Sequence, residues 1–199
     1  MNKTKLKILT GAGEMFAENS FNGTALDTLL GSVKVSKGSF FHFFRSKDDF
    51  LLEFLDFESK KLFSKLGELL EQNANPLLAL YSFMNWRQNN YQQTGRLISK
   101  LGSEMGSQNS KVQRKIKKIY GDYLSYLIQI LKTSKRKGQL IQSAPIKELA
   151  NFILFSLEGG SMSMSLTENE DQYNYVIDMI KRVVRSYRKI DDVSESWNL

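Results

Sequence analysis

Residues 35–47 read VSKGSFFHFFRSK and carry the clearest local structural signal in the chain. Ser36 has the short hydroxyl side chain that favours a helix N-cap, and the residues after it keep the first turn free of bulk. Phe40 and Phe44 are four residues apart, so they share one face of a helix and can pack together against a core. The stretch therefore predicts a short helix that begins directly after Ser36.

Similar cap signals lie on both sides of this helix. Thr24 with Asp27 upstream, and Ser46 with Asp49 downstream, each combine a hydroxyl cap with an acid at the third helical position. The upstream helix can run only to about Val33, so two helices of about two turns are joined by a turn of about three residues, which is a helix-turn-helix. Because such short helices are unstable alone, we expect them to share an apolar cluster with the preceding helix, formed by Leu26, Leu29, Leu30, Val33, Val35, Phe40 and Phe44.

The rest of the chain also favours helix, since it has two prolines and no convincing strand alternation. An apolar stripe predicts a first helix from Lys3 to Glu18, and a long helix is expected from Ser46 to a break at residues 72–75. Further helices are predicted at about 76–93, 95–106, 110–137, 145–166 and 171–189. The expected fold class is all-α with about nine helices: a helix-turn-helix domain at residues 1–47, a helical domain at 48–189 and a flexible tail at 190–199.

Composition narrows the classes of function. The chain has 199 residues and a formal net charge of +7, and residues 1–47 hold seven Lys or Arg against three acids, as expected for a segment that binds phosphates. The basic block at 111–137 is better interpreted as a solvated helix face. The chain has no cysteine, which excludes disulfides and thiolate chemistry. Its single histidine, His42, cannot build a zinc site with a second histidine, and no catalytic triad is visible. We therefore predict no enzyme, no cofactor and no metal, and a cytoplasmic protein without a membrane partner.

Residues 35–47, together with residues 24–27, closely resemble the helix-turn-helix of the TetR family of bacterial repressors. The resemblance implies a DNA-binding transcription regulator whose C-terminal bundle dimerises and senses a ligand. The expected partners are a palindromic double-stranded DNA operator, a second copy of the chain and a small-molecule effector of unknown identity, and the expected activity is repression that the effector relieves. Two alternatives stay open: a DNA-binding regulator without an effector, and a helical binding protein with a vestigial DNA-binding domain.

The resemblance also implies which side chains face DNA. The predicted DNA-binding residues are Thr24, Lys34, Ser36, Lys37, Gly38, Ser39, Phe41, His42 and Lys47. This chain departs from the family at two of them. Phe41 stands where tyrosine is usual, which removes a hydrogen bond to phosphate, and Lys34 stands where glycine is usual in the turn. If the backbone at Lys34 is left-handed, a side chain there costs about 1 kcal/mol.

The C-terminal half resembles the family more loosely. Residues 94–97 (TGRL) and 100–104 (KLGSE) are similar to the branch with electrophile-sensing, NemR-type repressors. Arg96 stands where that branch has a cysteine, so thiol sensing does not carry over, and its guanidinium indicates either an acidic ligand or a structural ion pair. The residues predicted to line an effector site are Tyr81, Met84, Trp86, Arg96, Tyr120, Tyr123 and Phe155.

The last two predicted helices carry matching apolar stripes. Small residues in the first of them would let another helix approach closely, and in the family these two helices pair with their two-fold mates in a four-helix bundle. The residues predicted to lie in the dimer interface are Phe152, Ser156, Gly159, Gly160, Tyr175, Met179 and Val183.

Overall fold

The computed structural model describes residues 2–90, 96–167 and 169–189, with Ser165 and Glu170 described by their backbone alone. The helices in these ranges are α1 (Lys3–Glu18), α2 (Leu26–Ser32), α3 (Lys37–Phe43), α4 (Lys47–Gln72), α5 (Pro76–Asn89), α6 (Arg96–Met105), α7 (Ser110–Arg136), α8 (Ile146–Thr167) and α9 (Glu170–Ser186). Within the same ranges, β-pairing is reduced to an isolated bridge between Leu140 and Arg188. The all-α prediction is confirmed. The end of the helix predicted at 76–93, residues 94 and 95, and the predicted tail at 190–199 lie outside the described residues.

Asparagine and serine caps fix where the helices begin. Asn2 accepts a hydrogen bond from the Thr4 amide at 2.9 Å, and Asn75 accepts from the Leu77 and Leu78 amides at 2.9 and 3.2 Å. These amides lack partners inside their own helices, so each cap stabilises its helix by about 1 kcal/mol.

Contacts divide the chain into two compact units. Unit 1 comprises residues 1–62 and 91–119. Its core is a cluster of phenylalanine rings, each at most 2% exposed, with centroid separations of 5.0 to 6.2 Å. Burying each ring contributes about 1.5–3 kcal/mol. The rings belong to Phe16, Phe21, Phe40, Phe44, Phe50 and Phe54. Of the predicted apolar cluster, Leu26 and Val35 are half-buried and the other members are buried.

Unit 2 comprises residues 63–90 and 120–199. Within it α8 and α9 pack closely at Gly160, where an added Cβ would lie 3.1 Å from the Tyr173 ring and 3.2 Å from Val176. The segment after α9 pairs with the loop after α7, because the Ile141 amide donates to the Tyr187 carbonyl at 2.9 Å. The predicted boundary at residue 47, between the helix-turn-helix domain and the second helical domain, is a boundary of function and not of contacts. It stays a prediction.

None of the described helices combines the length and the apolar character needed to cross a membrane.

Candidate functional site

The helix-turn-helix presents α3 to solvent along one face. Ser36 caps α3 as predicted, and its hydroxyl oxygen accepts a hydrogen bond from the Ser39 amide at 3.2 Å. Phe40 is fully buried, whereas Phe41 is 52% exposed and Lys37, Gly38 and His42 are also exposed. Because Phe40 locks one face of α3 into the core, the opposite face keeps a fixed orientation toward solvent.

Lys34 occupies the turn between α2 and α3 in a left-handed conformation, with a φ of 49°. The turn is closed by hydrogen bonds from the Lys34 amide to the Gly31 carbonyl at 3.1 Å and from the Val35 amide to the Leu30 carbonyl at 2.9 Å. The left-handed backbone costs a lysine about 1 kcal/mol relative to glycine. The left-handed backbone considered for Lys34 from the sequence is therefore present. The Lys34 side chain is exposed and precedes α3 by three residues.

Lys37 forms an ion pair with Asp27 of α2, with Nζ 2.8 Å from the carboxylate. The two side chains are 59% and 72% exposed. An exposed pair of this kind is worth less than about 1 kcal/mol. A phosphate group can therefore displace Asp27 at little cost, and the ion pair does not remove Lys37 from the set of DNA-facing residues.

Thr24 does not cap α2, so that part of the prediction is wrong. The N-cap residue is Ala25, which has no capping side chain, and Thr24 is 3% exposed. Its hydroxyl donates to the Ser20 carbonyl at 2.8 Å. The tight turn upstream of α2 provides this nearer acceptor, so the hydroxyl points back into the turn and away from solvent.

Lys47 also turns inward. Its Nζ donates to the Phe21 carbonyl at 2.6 Å and lies 4.3 Å from the centroid of the Phe21 ring. Burial lowers the pKa of Lys47, although Glu104 and Asp48 act to raise it. In this structure Lys47 stabilises the loop before α2, and its predicted contact with phosphate stays a prediction.

Two residues of α6 that the sequence did not single out hold the junction between α1 and α2. Lys100 Nζ donates to three carbonyls at the end of α1, those of Phe16 and Ala17 at 2.9 Å and of Asn19 at 3.1 Å. Glu104 accepts from the Phe21 and Asn22 amides, both at 2.8 Å. The available signal was their spacing of four residues, which places both side chains on one face of α6.

Five of the predicted effector residues belong to unit 2 and line or approach its interior. Tyr81, Met84 and Tyr123 are buried, and Trp86 and Tyr120 are half-buried. Phe155, in contrast, is 67% exposed on α8. It faces outward in this chain, and its contact with an effector stays a prediction.

Arg96 belongs to unit 1 and is half-buried. Its Nε is buried and has no hydrogen-bond partner within the described ranges. Among those residues no ion pair with a carboxylate is found for Arg96, so the structure does not choose between the two interpretations of this guanidinium.

A different arginine, Arg87 of α5, is the fully buried one. Its Nη2 lies 3.0 Å from Glu158 Oε1, and its Nε donates to the Tyr173 hydroxyl at 3.5 Å. Burial alone would lower the pKa of Arg87, but Tyr173 and Glu158 reverse this and hold the pKa well above its usual value. The side chain therefore stays charged. Little in the sequence indicates that this arginine is buried. It is a single charged residue at the end of the mainly apolar stretch from Pro76 to Trp86.

The surface of α8 and α9 carries large apolar side chains that are open to solvent. The predicted interface residues Phe152, Tyr175 and Met179 are 38%, 69% and 54% exposed. Gly159 is exposed, and Ser156 and Val183 are half-buried. Gly160 is the exception, because the Cβ contacts described above show that it makes room for α9 of its own chain. The same face adds Phe155, Met162 and Leu166, at 67%, 44% and 77% exposure.

A solvent-open groove of about 670 Å³ lies in unit 2. Its lining residues are mostly polar or basic, but the surface that they present is mostly apolar, and none of them is predicted to bind an effector. The lining residues are Ser125, Ile128, Gln129, Lys132, Lys135, Arg136 and Gln142.

Comparison with known proteins agrees with these features. Residues 8–54 match a sequence profile described as bacterial regulatory proteins, tetR family, and residues 77–180 match one described as a tetracyclin repressor-like C-terminal domain.

A helix-turn-helix transcriptional regulator of Lactococcus lactis is 22% identical over 96% of this chain and 97% of its own. The transcriptional repressor NemR of Escherichia coli K12 is 34% identical over 34% of each chain. The crystal structure of reduced E. coli NemR has a TM-score of 0.80, at 22% identity, and covers 91% of this chain and 96% of that one. The chain belongs to the TetR family of helix-turn-helix transcription regulators.

Proposed function

We propose that this regulator is a homodimeric repressor that binds a palindromic DNA operator in the cytoplasm and releases it when a small molecule binds unit 2. The observation that carries the proposal is α3, with Ser36 at its N-cap, Phe40 anchored in the core and Lys37 exposed. A helix held in this way can enter the major groove by its N-terminal turn.

The contacts on DNA follow from what α3 exposes. Lys37 and Lys34 supply positive charge to phosphates, and Ser39 and His42 supply short or planar polar groups to base edges. Phe41 lacks a hydroxyl, so it contacts sugar or a thymine methyl. The positioning contacts to phosphate give affinity, and the base-edge contacts give sequence preference.

Dimerisation is supported by the exposed apolar face of α8 and α9. Monomeric soluble proteins rarely expose a continuous apolar patch of this kind, and a second copy would cover the same residues on both chains in a two-fold interface. Such a dimer sets two recognition helices about 34 Å apart, one turn of DNA, so that both read the same face of the operator.

Release of DNA by an effector requires an element that holds the DNA-binding helices and whose position can change. The Lys100 and Glu104 contacts fix the α1–α2 junction from α6. A molecule that binds better to the state with a displaced α6 would shift the equilibrium toward a form that releases DNA. The proposed effector site involves the aromatic residues of unit 2, and the contact of Arg96, in unit 1, with an effector stays a prediction.

The test is binding to the DNA that flanks the protein's own gene, measured by fluorescence anisotropy at one fixed salt concentration. We expect a dissociation constant of about 10⁻⁸ M or tighter and a preference over scrambled DNA of about a thousandfold or more. A footprint with two half-sites and a dimer by light scattering complete the expectation. A monomer, or equal affinity for scrambled DNA, contradicts the proposal.

A further inference from the structure

Several buried hydrogen-bond donors in unit 2 have no partner among the residues that the structure describes, and two of them belong to side chains that share neighbours. These two are Nη1 of Arg87, whose side chain is fully buried, and the hydroxyl of Tyr123, which is 1% exposed. An unpaired buried donor of this kind costs about 1–3 kcal/mol. Native proteins leave few such groups, and each one calls for a reason.

The two donors lie in one cluster. The Tyr123 ring packs edge-on against Phe83 at 6.1 Å, and Arg87 follows Phe83 by one turn on the same face of α5. Tyr120, one turn before Tyr123 on α7, donates to Glu158 Oε2 at 3.2 Å, and Glu158 Oε1 pairs with Arg87. Glu158 therefore connects the helix face that carries Tyr123 with the face that carries Arg87.

Among the described residues of this cluster, the positive charge of Arg87 and the negative charge of Glu158 balance each other. The unpaired donors, Arg87 Nη1 and the Tyr123 hydroxyl, therefore favour a neutral acceptor atom over a further anion. A bound carboxylate would leave one negative charge uncompensated in a buried site, which is strongly unfavourable. Burial also raises the pKa of Tyr123, although Arg87 acts to lower it, so the phenol keeps its proton and acts as a donor.

The surroundings of Tyr123 are aromatic. Besides Phe83, the Phe63 ring lies 6.3 Å from Tyr123 edge-on, and Trp86 stacks on Phe83 at 5.7 Å. Aromatic faces and edges of this kind favour a flat apolar body next to the donors.

We infer that the effector of this regulator is an uncharged, planar molecule whose carbonyl oxygen accepts hydrogen bonds from Arg87 Nη1 and the Tyr123 hydroxyl. The inference rests on the proposed function, because it specifies the chemistry of the molecule that would release DNA. The competing explanation is a buried water, which can satisfy both donors without any ligand.

The probes are pairs that differ in the carbonyl group alone: acetophenone with ethylbenzene, and 1-indanone with indane. Benzoate tests the effect of an added charge. Binding to the full-length protein is measured by calorimetry and by the shift in melting temperature. We expect each ketone to bind about tenfold more tightly than its hydrocarbon and benzoate to bind more weakly than acetophenone. Equal binding within both pairs, or tighter binding of benzoate, overturns the inference.

The variant that isolates the site is Tyr123→Phe, since it removes one donor and keeps the ring. We expect it to raise the melting temperature of the free protein by about 2–4 °C, because an unpaired buried hydroxyl is lost. We also expect it to reduce the ketone preference several-fold and to leave hydrocarbon binding unchanged. The matched control is Tyr126→Phe, whose hydroxyl-bearing ring is 39% exposed on the same helix and should change neither quantity. A ketone preference that survives Tyr123→Phe overturns the inference.

Failure here can be separated from failure of the proposed function. Probe binding is measured without DNA, and operator binding is measured without probes. If the ketones show no preference while the operator is still bound specifically by a dimer, the donor pair holds water and the regulator's effector is recognised elsewhere.

Discussion

The two units of this regulator expose opposite kinds of surface. Unit 1 presents the short, polar and cationic residues of α3 and its turn, whereas unit 2 presents large apolar side chains such as Phe155 and Tyr175. Yet each unit fully buries a charged side chain with an atom that has no hydrogen-bond partner among the described residues, Glu58 in unit 1 and Arg87 in unit 2. The surfaces suit different partners, phosphates in one case and a second copy of the chain in the other. In both units these buried polar atoms lower the free energy of unfolding.

The largest effect is expected from a charge on the apolar surface of unit 2. Met179→Asp places a carboxylate at a 54% exposed position that the proposed dimer would bury. We expect dissociation into monomers, measured by sedimentation, and a loss of operator affinity of about a hundredfold, because two half-sites are no longer bound together. Gln129→Asp on the exposed side of α7 is the matched control and should leave both quantities unchanged. A dimeric Met179→Asp protein with full affinity would mean that this face is not the interface.

On the surface of unit 1, the expected effect is smaller and depends on salt. Lys37→Ala should weaken operator binding about tenfold and reduce the slope of log Kd against log salt by about 1, since one phosphate contact is lost. Thermal stability should hardly change because the Asp27 pair is exposed. Lys60→Ala, an exposed lysine of α4, serves as the control. A wild type and a Lys37→Ala variant that both lack specific DNA binding would favour a vestigial DNA-binding domain, whereas unchanged specific binding would mean that Lys37 does not contact phosphate.

The buried charge of unit 1 gives a prediction on pH. Burial raises the pKa of Glu58, and the hydrogen bond from Lys61 opposes this. The folded state therefore holds the proton to a higher pH than the unfolded state, so the free energy of unfolding falls as pH rises between the two pKa values. Glu58→Gln should raise the unfolding free energy at pH 7 by about 1 kcal/mol and change it less near pH 4. Urea denaturation at both pH values measures this, with the exposed Glu71→Gln as the control. An equal effect at both pH values contradicts it.

The turn lysine separates stability from binding. Lys34→Gly relieves the left-handed backbone, partly offset by the greater flexibility of glycine in the unfolded chain, so we expect a gain of about 0.5 kcal/mol. Operator affinity should fall about threefold with the lost charge. Lys34→Asn removes the same charge but tolerates the left-handed region only in part, so it should match the glycine variant in binding and be less stable. If the glycine variant binds as tightly as the wild type, Lys34 does not contact phosphate.

Local signals in the sequence predicted the helices well. The bounds of α1, Lys3–Glu18, and the cap at Ser36 depend on periodicity and on hydrogen bonds within a few residues, and both are found as predicted. Thr24 shows the limit of such rules, because its hydroxyl met a closer acceptor in the preceding turn. A cap pattern states what a side chain can bond, and the neighbouring backbone decides what it does bond.

Tertiary context explains the other differences. Gly160 was correctly read as a place of close helix approach, but the sequence could not tell that the neighbour would be α9 of the same chain. Phe155 lies in an apolar helix with two apolar sides, and only packing decides which side faces out. Arg87 gave almost no signal, since its meaning depends on Glu158 and Tyr173, which lie 71 and 86 residues away along the chain.

The smallest effect concerns Phe41, a large apolar side chain on the surface of α3 that is proposed to face DNA. Its ring is 52% exposed and packs edge-on against Phe40 at 5.3 Å, so a hydroxyl can be added without disturbing the core. If the ring contacts a backbone sugar, it lies beside a phosphate, so Phe41→Tyr gains a donor to that phosphate and should tighten binding about threefold for every operator sequence.

A contact with a thymine methyl predicts the opposite pattern. Replacing single thymines by uracil would then weaken binding by the wild type at one position, and Phe41→Tyr would bring no gain. Anisotropy titrations of both proteins on the thymine and uracil operators separate the two cases, with Phe41→Ala as the variant that loses either contact. We expect the pattern of the sugar contact, because Phe41 follows Lys37 by one turn on the same face of α3, and the positive charge of Lys37 attracts the DNA backbone.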